Sequence, residues 1–120
     1  MKGVVKIKNM RIYGFHGCLK EESKIGGDYL VTLKAYCDMA CAAETDSLEE
    51  AVNYTLLAKI ITKEMAVKSK LLESVAKRII DSCLKKDPAI ERVEVEINKI
   101  NPPINADVES AVVLMEGKRE

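Results

Sequence analysis

The stretch Tyr29–Cys41 reads Tyr-Leu-Val-Thr-Leu-Lys-Ala-Tyr-Cys-Asp-Met-Ala-Cys, and one set of alternate positions in it is apolar throughout. Successive side chains of a β-strand point to opposite faces, so this alternation predicts a long strand with one buried face. The predicted buried face comprises Tyr29, Val31, Leu33, Ala35, Cys37, Met39 and Cys41. The opposite face carries Asp28, Thr32, Lys34 and Asp38, together with the apolar Leu30 and Tyr36. This strand therefore predicts a sheet that covers a core on one side.

A second strand is predicted before this stretch. Its apolar residues are Val5, Ile7, Met10, Ile12 and Phe15, and their alternation slips around Asn9. A slip of one residue within a strand indicates a β-bulge. The glycines at positions 14, 17, 26 and 27 then indicate a turn between the two strands.

The middle of the chain changes from a period of two to helical spacing. Apolar residues from Leu57 to Met65 predict a first helix, and a stronger pattern from Leu72 to Leu84 predicts a second. Ser69 is the predicted N-cap of the second helix, and Asp87-Pro88 is its predicted end.

Strand periodicity returns after the helices. Val93–Ile97 alternates with polar residues and ends at Lys99, before Pro102-Pro103, and a last strand is predicted from Val108 to Met115. The element order is β-β-α-α-β-β. We therefore predict one α+β domain over residues 1–120, with a four-stranded antiparallel sheet and two helices on one face.

Composition excludes several functional classes. The 120 residues include 19 basic and 19 acidic side chains, and a net charge of zero argues against nucleic acid as a partner. The apolar runs are too short to cross a membrane, and lysines interrupt Met1–Lys8 where a signal peptide needs an apolar segment. We expect a soluble, cytoplasmic protein.

The cysteines and the single histidine predict no metal site. Cys18, Cys37, Cys41 and Cys83 lack the spacing of a zinc or redox motif, and His16 is the only histidine. Free, buried thiols in a reducing compartment are the expectation.

Four residues are candidates for chemistry, and each also has an ordinary structural explanation. Lys99 precedes a proline-fixed segment and could point into a pocket, or be a solvated lysine at a strand end. Glu73 could bind a ligand or complement the dipole at a helix start. Tyr54 could be functional or an amphipathic residue at a helix edge, and Glu22 could be functional or part of a solvated, charged loop over Lys20–Lys24.

Five short segments in this order resemble the dihydroneopterin aldolase family. They are Met10–Gly17, Glu21-Glu22 with Ile25-Gly26, Thr45-Asp46 with Val52-Asn53-Tyr54, Leu71-Leu72-Glu73, and Lys99–Ile104. The resemblance extends from about Val5 to Met115. Two positions depart from the family pattern: Asn105-Ala106-Asp107 replaces a glycine-containing loop, and Cys18 replaces alanine or a larger aliphatic residue.

The resemblance implies the tunnelling fold, in which subunits join their sheets into a barrel around a channel. It also implies a homo-octamer of two stacked tetrameric rings, with each pocket between neighbouring subunits. The outward Leu30 and Tyr36 and the uncovered sheet edges are compatible with such closure.

The implied reaction is retro-aldol cleavage of 7,8-dihydroneopterin into glycolaldehyde and 6-hydroxymethyl-7,8-dihydropterin, a step in folate biosynthesis. The implied catalytic residues are Lys99 and Tyr54, and the implied substrate-binding residues are Glu22, Tyr54, Leu72 and Glu73. The ring imine of the substrate can accept the electron pair, so no metal, Schiff base or cofactor is expected. Some epimerase activity at the second side-chain carbon is also implied.

Three alternatives remain open at the level of sequence. The first is the related dihydroneopterin triphosphate epimerase branch, which generally lacks the His-Gly turn and the Lys99–Pro103 ending. The second is a non-catalytic pterin- or purine-binding module, which would keep Glu73 but have no need of Lys99 and Tyr54. The third is a purely structural oligomer, which would not need Glu73 either.

Overall fold

A computed structural model describes residues 1–120 and contains four strands and four α-helices. The strands are β1 (Lys2–Gly14), β2 (Gly27–Asp38), β3 (Arg92–Ile100) and β4 (Ser110–Lys118). The helices are α1 (Lys20–Ile25), α2 (Ala40–Thr45), α3 (Tyr54–Met65) and α4 (Leu72–Lys86), with a short 3-10 turn at Leu48–Glu50. The predicted order of the four strands and the two long helices is confirmed.

The four strands form one antiparallel sheet in the order β1-β2-β3-β4. The register of β1 against β2 shifts between Ile7 and Met10, so the bulge predicted near Asn9 is present. Asn9 has a φ of 51°, and its backbone N–H donates to the Thr32 hydroxyl at 3.0 Å. Asparagine tolerates this left-handed conformation better than most residues, which explains its place at the bulge.

The core lies between one face of the sheet and the helices α3 and α4. β2 and β3 supply its sheet side with Tyr29, Val31, Leu33, Ala35, Cys37, Val93, Val95 and Ile97. The helices supply Leu57, Ile60, Ile61, Met65, Val75, Ala76, Ile79, Ile80 and Cys83. The strand residues recur with a period of two and the helix residues with a period of 3.6, as the sequence predicts. The other face of the sheet carries no helix.

Three predicted boundaries were wrong. β2 ends at Asp38 and not at Cys41, because the Asp38 carboxylate accepts the Ala40 N–H at 2.9 Å where α2 begins. α4 begins at Leu72 after Leu71, so Ser69 is not its N-cap, and the Ser69 hydroxyl instead accepts a hydrogen bond from Arg78. β4 extends over Ser110–Lys118 and not Val108–Met115, because its register against β3 continues to the Arg92–Lys118 pair.

Two local expectations also need correction. Residues 20–24 belong to α1 and are not a loop, since Glu21 and Glu22 stand in the first turn of this short helix and Lys24 in its last. All four cysteines are free, but only Cys37 and Cys83 are buried, whereas Cys18 and Cys41 are exposed. The two exposed cysteines lie outside the regular strands, in the β1–β2 connection and in α2.

None of the helices is both long enough and apolar enough to cross a membrane. The longest, α4, has 15 residues.

Candidate active site

A cavity of about 200 Å³ lies where β3 ends and the β1–β2 connection passes over the sheet. The polar side chains around it include His16, Glu22, Tyr29, Lys99 and Asn101. Three parts of the chain that are distant in sequence therefore meet at this cavity: the β1–β2 connection with α1, the start of β2, and the end of β3.

Lys99 is the central group of the cavity. It pairs in register with Tyr29, so it continues the core-facing side of β3 beyond Val95 and Ile97. Its ammonium donates to the His16 backbone carbonyl at 3.0 Å and forms an ion pair with the Glu22 carboxylate. Both side chains of this pair are only 14% exposed.

The surroundings of Lys99 act in opposite directions on the protonation of its amine. Burial lowers the pKa of its ammonium, because removal from water penalises the charged form, and Cys18 acts against that shift. The adjacent Glu22 carboxylate also favours the charged form. A substrate that separates Glu22 from Lys99 would leave a desolvated amine that gives up its proton more easily.

Gly17 makes room for Glu22. Its φ is 144°, a conformation that side chains disfavour, and a Cβ at this position would overlap the Glu22 carboxyl group. The Glu22 Oε1 also accepts the Leu19 N–H at 3.2 Å. The glycine and this backbone bond together direct the Glu22 carboxylate towards Lys99.

His16 connects this pair to the loop between α3 and α4. Its side chain is 1% exposed, and its Nδ1 accepts the Ser69 N–H at 3.2 Å. Its carbonyl accepts the Tyr29 hydroxyl at 3.0 Å in addition to the Lys99 ammonium. Burial lowers the pKa of His16, and the Met65 carbonyl acts against that shift. A lowered pKa keeps the imidazole neutral, as an acceptor at Nδ1 must be.

Leu72 and Glu73 lie at the same end of the molecule as Lys99. The Cys18 thiol donates to the Lys70 carbonyl at 3.7 Å, and α4 begins two residues after Lys70. Glu73 is exposed in the first turn of α4, and no side chain caps this helix. The Ser74 N–H donates to the Leu71 carbonyl at 3.2 Å, and the N–H groups of Leu72 and Glu73 are available to a ligand.

Tyr54 lies at the opposite end of α3. It is the first residue of α3 and is 65% exposed, whereas the Met65 end of α3 is the one near His16. The rise of an α-helix separates the two ends of these twelve residues by about 16 Å. A single chain therefore brings Lys99 and Glu22 together but leaves Tyr54 away from them.

Sequence reasoning did not assign roles to His16 and Tyr29 in the site. His16 entered it as the one histidine and as part of the His-Gly turn in Met10–Gly17, and Tyr29 only as a core position of β2. A signal was available for His16, because a histidine inside the glycine-rich turn is a polar group that needs a buried partner. No three His, Cys, Asp or Glu side chains gather closely enough to hold a metal ion.

The fold and this site define a small α+β protein with a largely buried amine–carboxylate pair beside a small-molecule cavity. The family model described as dihydroneopterin aldolase matches residues 5–116. A dihydroneopterin aldolase of Bacillus subtilis (strain 168) is 34% identical over 118 residues, which cover 96% of this chain and 97% of that one. The chain therefore belongs to the dihydroneopterin aldolase family.

Solved structures agree on the fold. A Vibrio cholerae structure described as a dihydroneopterin aldolase superposes with a TM-score of 0.85 at 18% identity, covering 98% of both chains. The Escherichia coli dihydroneopterin aldolase in complex with neopterin superposes with a TM-score of 0.84 at 18% identity, covering 96% of this chain and 98% of that one. The α+β architecture predicted from the sequence is thus confirmed.

The buried His16 predicts a specific pH dependence of stability. Its pKa in the folded chain lies below the ordinary value of 6.5, so between these two pKa values the unfolded chain binds a proton that the folded chain does not. The contribution of His16 to stability is therefore complete above about pH 6.5 and is lost as the pH falls through the folded-state pKa.

Urea unfolding at fixed protein concentration, from about pH 8 to about pH 5, measures this effect. The control is His16→Asn, whose side-chain oxygen can accept the Ser69 N–H but does not titrate in this range. The unfolding free energy of the native protein minus that of His16→Asn is expected to be constant above neutrality. In acid this difference should decrease, because only the native protein loses stability through His16. A difference that does not vary with pH would contradict the assignment.

Proposed function

We propose that this chain cleaves 7,8-dihydroneopterin into glycolaldehyde and 6-hydroxymethyl-7,8-dihydropterin, in folate biosynthesis. The observation that carries the proposal is the Lys99–Glu22 pair in the cavity of a chain of this family. Cleavage breaks the bond between the first and second side-chain carbons, and the ring imine N5=C6 takes up the electron pair as an enamine. The protein has to bind the pterin, remove a hydroxyl proton and return a proton to carbon.

Lys99 is the proposed acid–base group. It would take the proton from the second side-chain hydroxyl, directly or through a water, and later help to protonate the enamine carbon. An ordinary lysine is almost entirely charged at neutral pH, so the burial that lowers its pKa favours this role. Glu22 would hold the amine in place before substrate arrives and then contact the substrate.

Glu73 and Leu72 are the proposed pterin anchors. The Glu73 carboxylate can accept two parallel hydrogen bonds from the 2-amino group and N3–H of the pterin ring. The positive end of the α4 helix dipole lies beside this carboxylate, and the free N–H of Leu72 can donate to the ring carbonyl. The E. coli relative was crystallised with neopterin, a pterin of this kind.

A neighbouring subunit is proposed to complete the pocket with Tyr54. The cavity of one chain, about 200 Å³, is smaller than the roughly 300–1,000 Å³ typical of small-molecule sites. Both edge strands, β1 and β4, also lack a further strand to pair with. A homo-octamer of two stacked tetrameric rings would pair these edges and bring Tyr54 of one subunit to Lys99 of the next.

Epimerase activity is a second consequence of the same mechanism. Glycolaldehyde that turns over in the pocket can present the other face of its carbonyl group to the enamine. Addition to that face inverts the second side-chain carbon, which is the former carbonyl carbon.

A non-catalytic pterin-binding module remains the alternative, but binding alone gives no reason to desolvate a lysine and a glutamate together.

The activity is tested by incubating the pure protein with 7,8-dihydroneopterin and following glycolaldehyde by chromatography. Cleavage is expected to persist in EDTA and to leave no borohydride-trapped lysine adduct, because the substrate supplies its own electron acceptor. Loss of activity on chelation, or a trapped adduct, would contradict this mechanism. Binding of neopterin without any cleavage would favour the binding module.

A pair of variants separates chemistry from binding. Lys99→Ala should lower kcat by a factor on the order of 10²–10⁴ with little change in affinity, as expected for loss of an acid–base group. Glu73→Ala should weaken neopterin binding by about 2–5 kcal/mol, measured by calorimetry, because the pterin loses a charged hydrogen-bonding partner. Lys85→Ala, an exposed residue near the end of α4, is the matched control and should change neither quantity. Exchanged behaviour of the two variants would contradict the assigned roles.

The shared pocket is tested by mixing inactive chains. Lys99→Ala and Tyr54→Phe subunits are unfolded together and refolded, and mixed oligomers are verified by mass spectrometry. Some pockets should then contain both native residues, so activity should exceed the sum of the separate variants. Absence of recovery in a verified mixed oligomer would mean that each pocket is built by one chain.

A further inference from the structure

Arg78 bridges the connection between α3 and α4 from the side of α4. Its guanidinium donates to the Ser69 hydroxyl at 2.6 Å, to the Val67 carbonyl at 2.8 Å and to the Glu64 carbonyl at 3.0 Å. Its Nε also lies 3.4 Å from the Glu64 carboxylate. One side chain thus fixes the conformation of residues 64–69.

The same connection holds the backbone that carries the active site. The Ser69 N–H donates to the His16 imidazole at 3.2 Å, and the Gly17 N–H donates to the Ser69 carbonyl at 2.9 Å. The Cys18 thiol reaches the neighbouring Lys70 carbonyl. His16 and Gly17 are therefore attached to the last residue of the segment that Arg78 fixes, and Cys18 is attached to the residue that follows it.

Arg78 is therefore connected both to the surroundings of Lys99 and to the start of α4. In one direction, the contacts lead through Ser69 and His16 to the carbonyl that accepts the Lys99 ammonium. In the other direction, the fixed segment is followed within four residues by Leu72 and Glu73. The positive charge of Arg78 also lowers the pKa of His16, which favours the neutral imidazole that accepts the Ser69 N–H.

We propose that Arg78 is a positioning residue, which sets the Lys99–Glu22 pair and the start of α4 in their working geometry through Ser69 and His16. The inference rests on the proposed function, because it assigns the chemistry to Lys99. Arg78 itself is not among the residues around the cavity.

Arg119 provides a matched control at the other end of α4. Its guanidinium donates to the carbonyls of Leu84 at 2.7 Å, Ile90 at 2.9 Å and Asp87 at 3.1 Å. It therefore fixes the α4–β3 connection as Arg78 fixes the α3–α4 connection, with similar bonds, but it does not bind the segment that contacts His16. Loss of either arginine should cost stability, and only loss of Arg78 should disturb the site.

The experiment compares Arg78→Ala, Arg78→Lys and Arg119→Ala in the purified full-length protein. For Arg78→Ala, kcat for 7,8-dihydroneopterin should fall by a factor of about 10–100, the scale expected for small misplacements of reacting groups. Millimolar guanidinium, matched in ionic strength with potassium, should restore part of this loss. Arg119→Ala should keep kcat within about twofold of the native value at a comparable loss of Tm, with no effect of guanidinium.

Arg78→Lys covers the case in which the alanine variant does not fold. A lysine retains the charge but not the forked set of donors, so kcat should lie between the native and alanine values. Native kcat in a folded Arg78→Ala protein would overturn the inference. Equal losses of kcat in the Arg78 and Arg119 variants would also overturn it, because they would indicate a general effect of lower stability.

A second measurement does not depend on catalysis. Hydrogen–deuterium exchange of peptides covering residues 14–19 should accelerate in Arg78→Ala and stay native in Arg119→Ala, because the Gly17 N–H loses a fixed acceptor. Unchanged protection in Arg78→Ala would overturn the inference whatever the activity. Faster exchange in a protein whose native form does not cleave dihydroneopterin would instead contradict the proposed function and leave the structural coupling standing.

Discussion

The site depends on one constraint: a lysine ammonium on the core-facing side of a strand must have partners. Lys99 follows Val95 and Ile97 on the face of β3 that packs against the helices, and it pairs in register with Tyr29. An unpartnered charge at this depth would cost several kcal/mol. The β1–β2 connection supplies what is needed, since its His16 carbonyl accepts the ammonium and the following α1 contributes the Glu22 carboxylate. The irregular connection that crosses the end of the sheet thus provides both partners of the buried amine.

The sequence predicts local patterns well, but it predicts long-range contacts such as those of Lys99 poorly. The alternation in β2, the slip at Asn9 and the helical spacing before Met65 are local patterns, and each appears in the structure, although β2 ends at Asp38 and not at Cys41. The partnership of Lys99 with Glu22 joins residues 77 positions apart. No local period encodes such a contact, so the residue pattern alone left Glu22 as part of a solvated loop. Only the resemblance to the dihydroneopterin aldolase family identified Glu22 as a substrate-binding candidate.

The errors have a similar cause. Ser69 has the residue type and position of an N-cap, yet its hydroxyl accepts from Arg78 and its backbone binds His16 and Gly17. Local propensity predicted a helix start, and the tertiary contacts of the α3–α4 connection used the residue differently. The contacts of His16 were not predicted for the complementary reason. Its contribution lies in its backbone carbonyl and in an imidazole acceptor, and residue type alone reveals neither.

The partners of Lys99 differ in how firmly they are held. The His16 carbonyl also accepts the Tyr29 hydroxyl, and its imidazole accepts the Ser69 N–H, so its position is fixed from two sides. Glu22 stands on the six-residue α1, which has no buried residue, and only the Leu19 N–H holds its carboxylate from within the connection. A polar substrate that enters the cavity would therefore compete with Glu22 for the ammonium and leave the bond to His16 in place. In the proposed mechanism, the bond to the His16 carbonyl would keep the amine beside the substrate, and displacement of Glu22 would leave the amine free to exchange a proton.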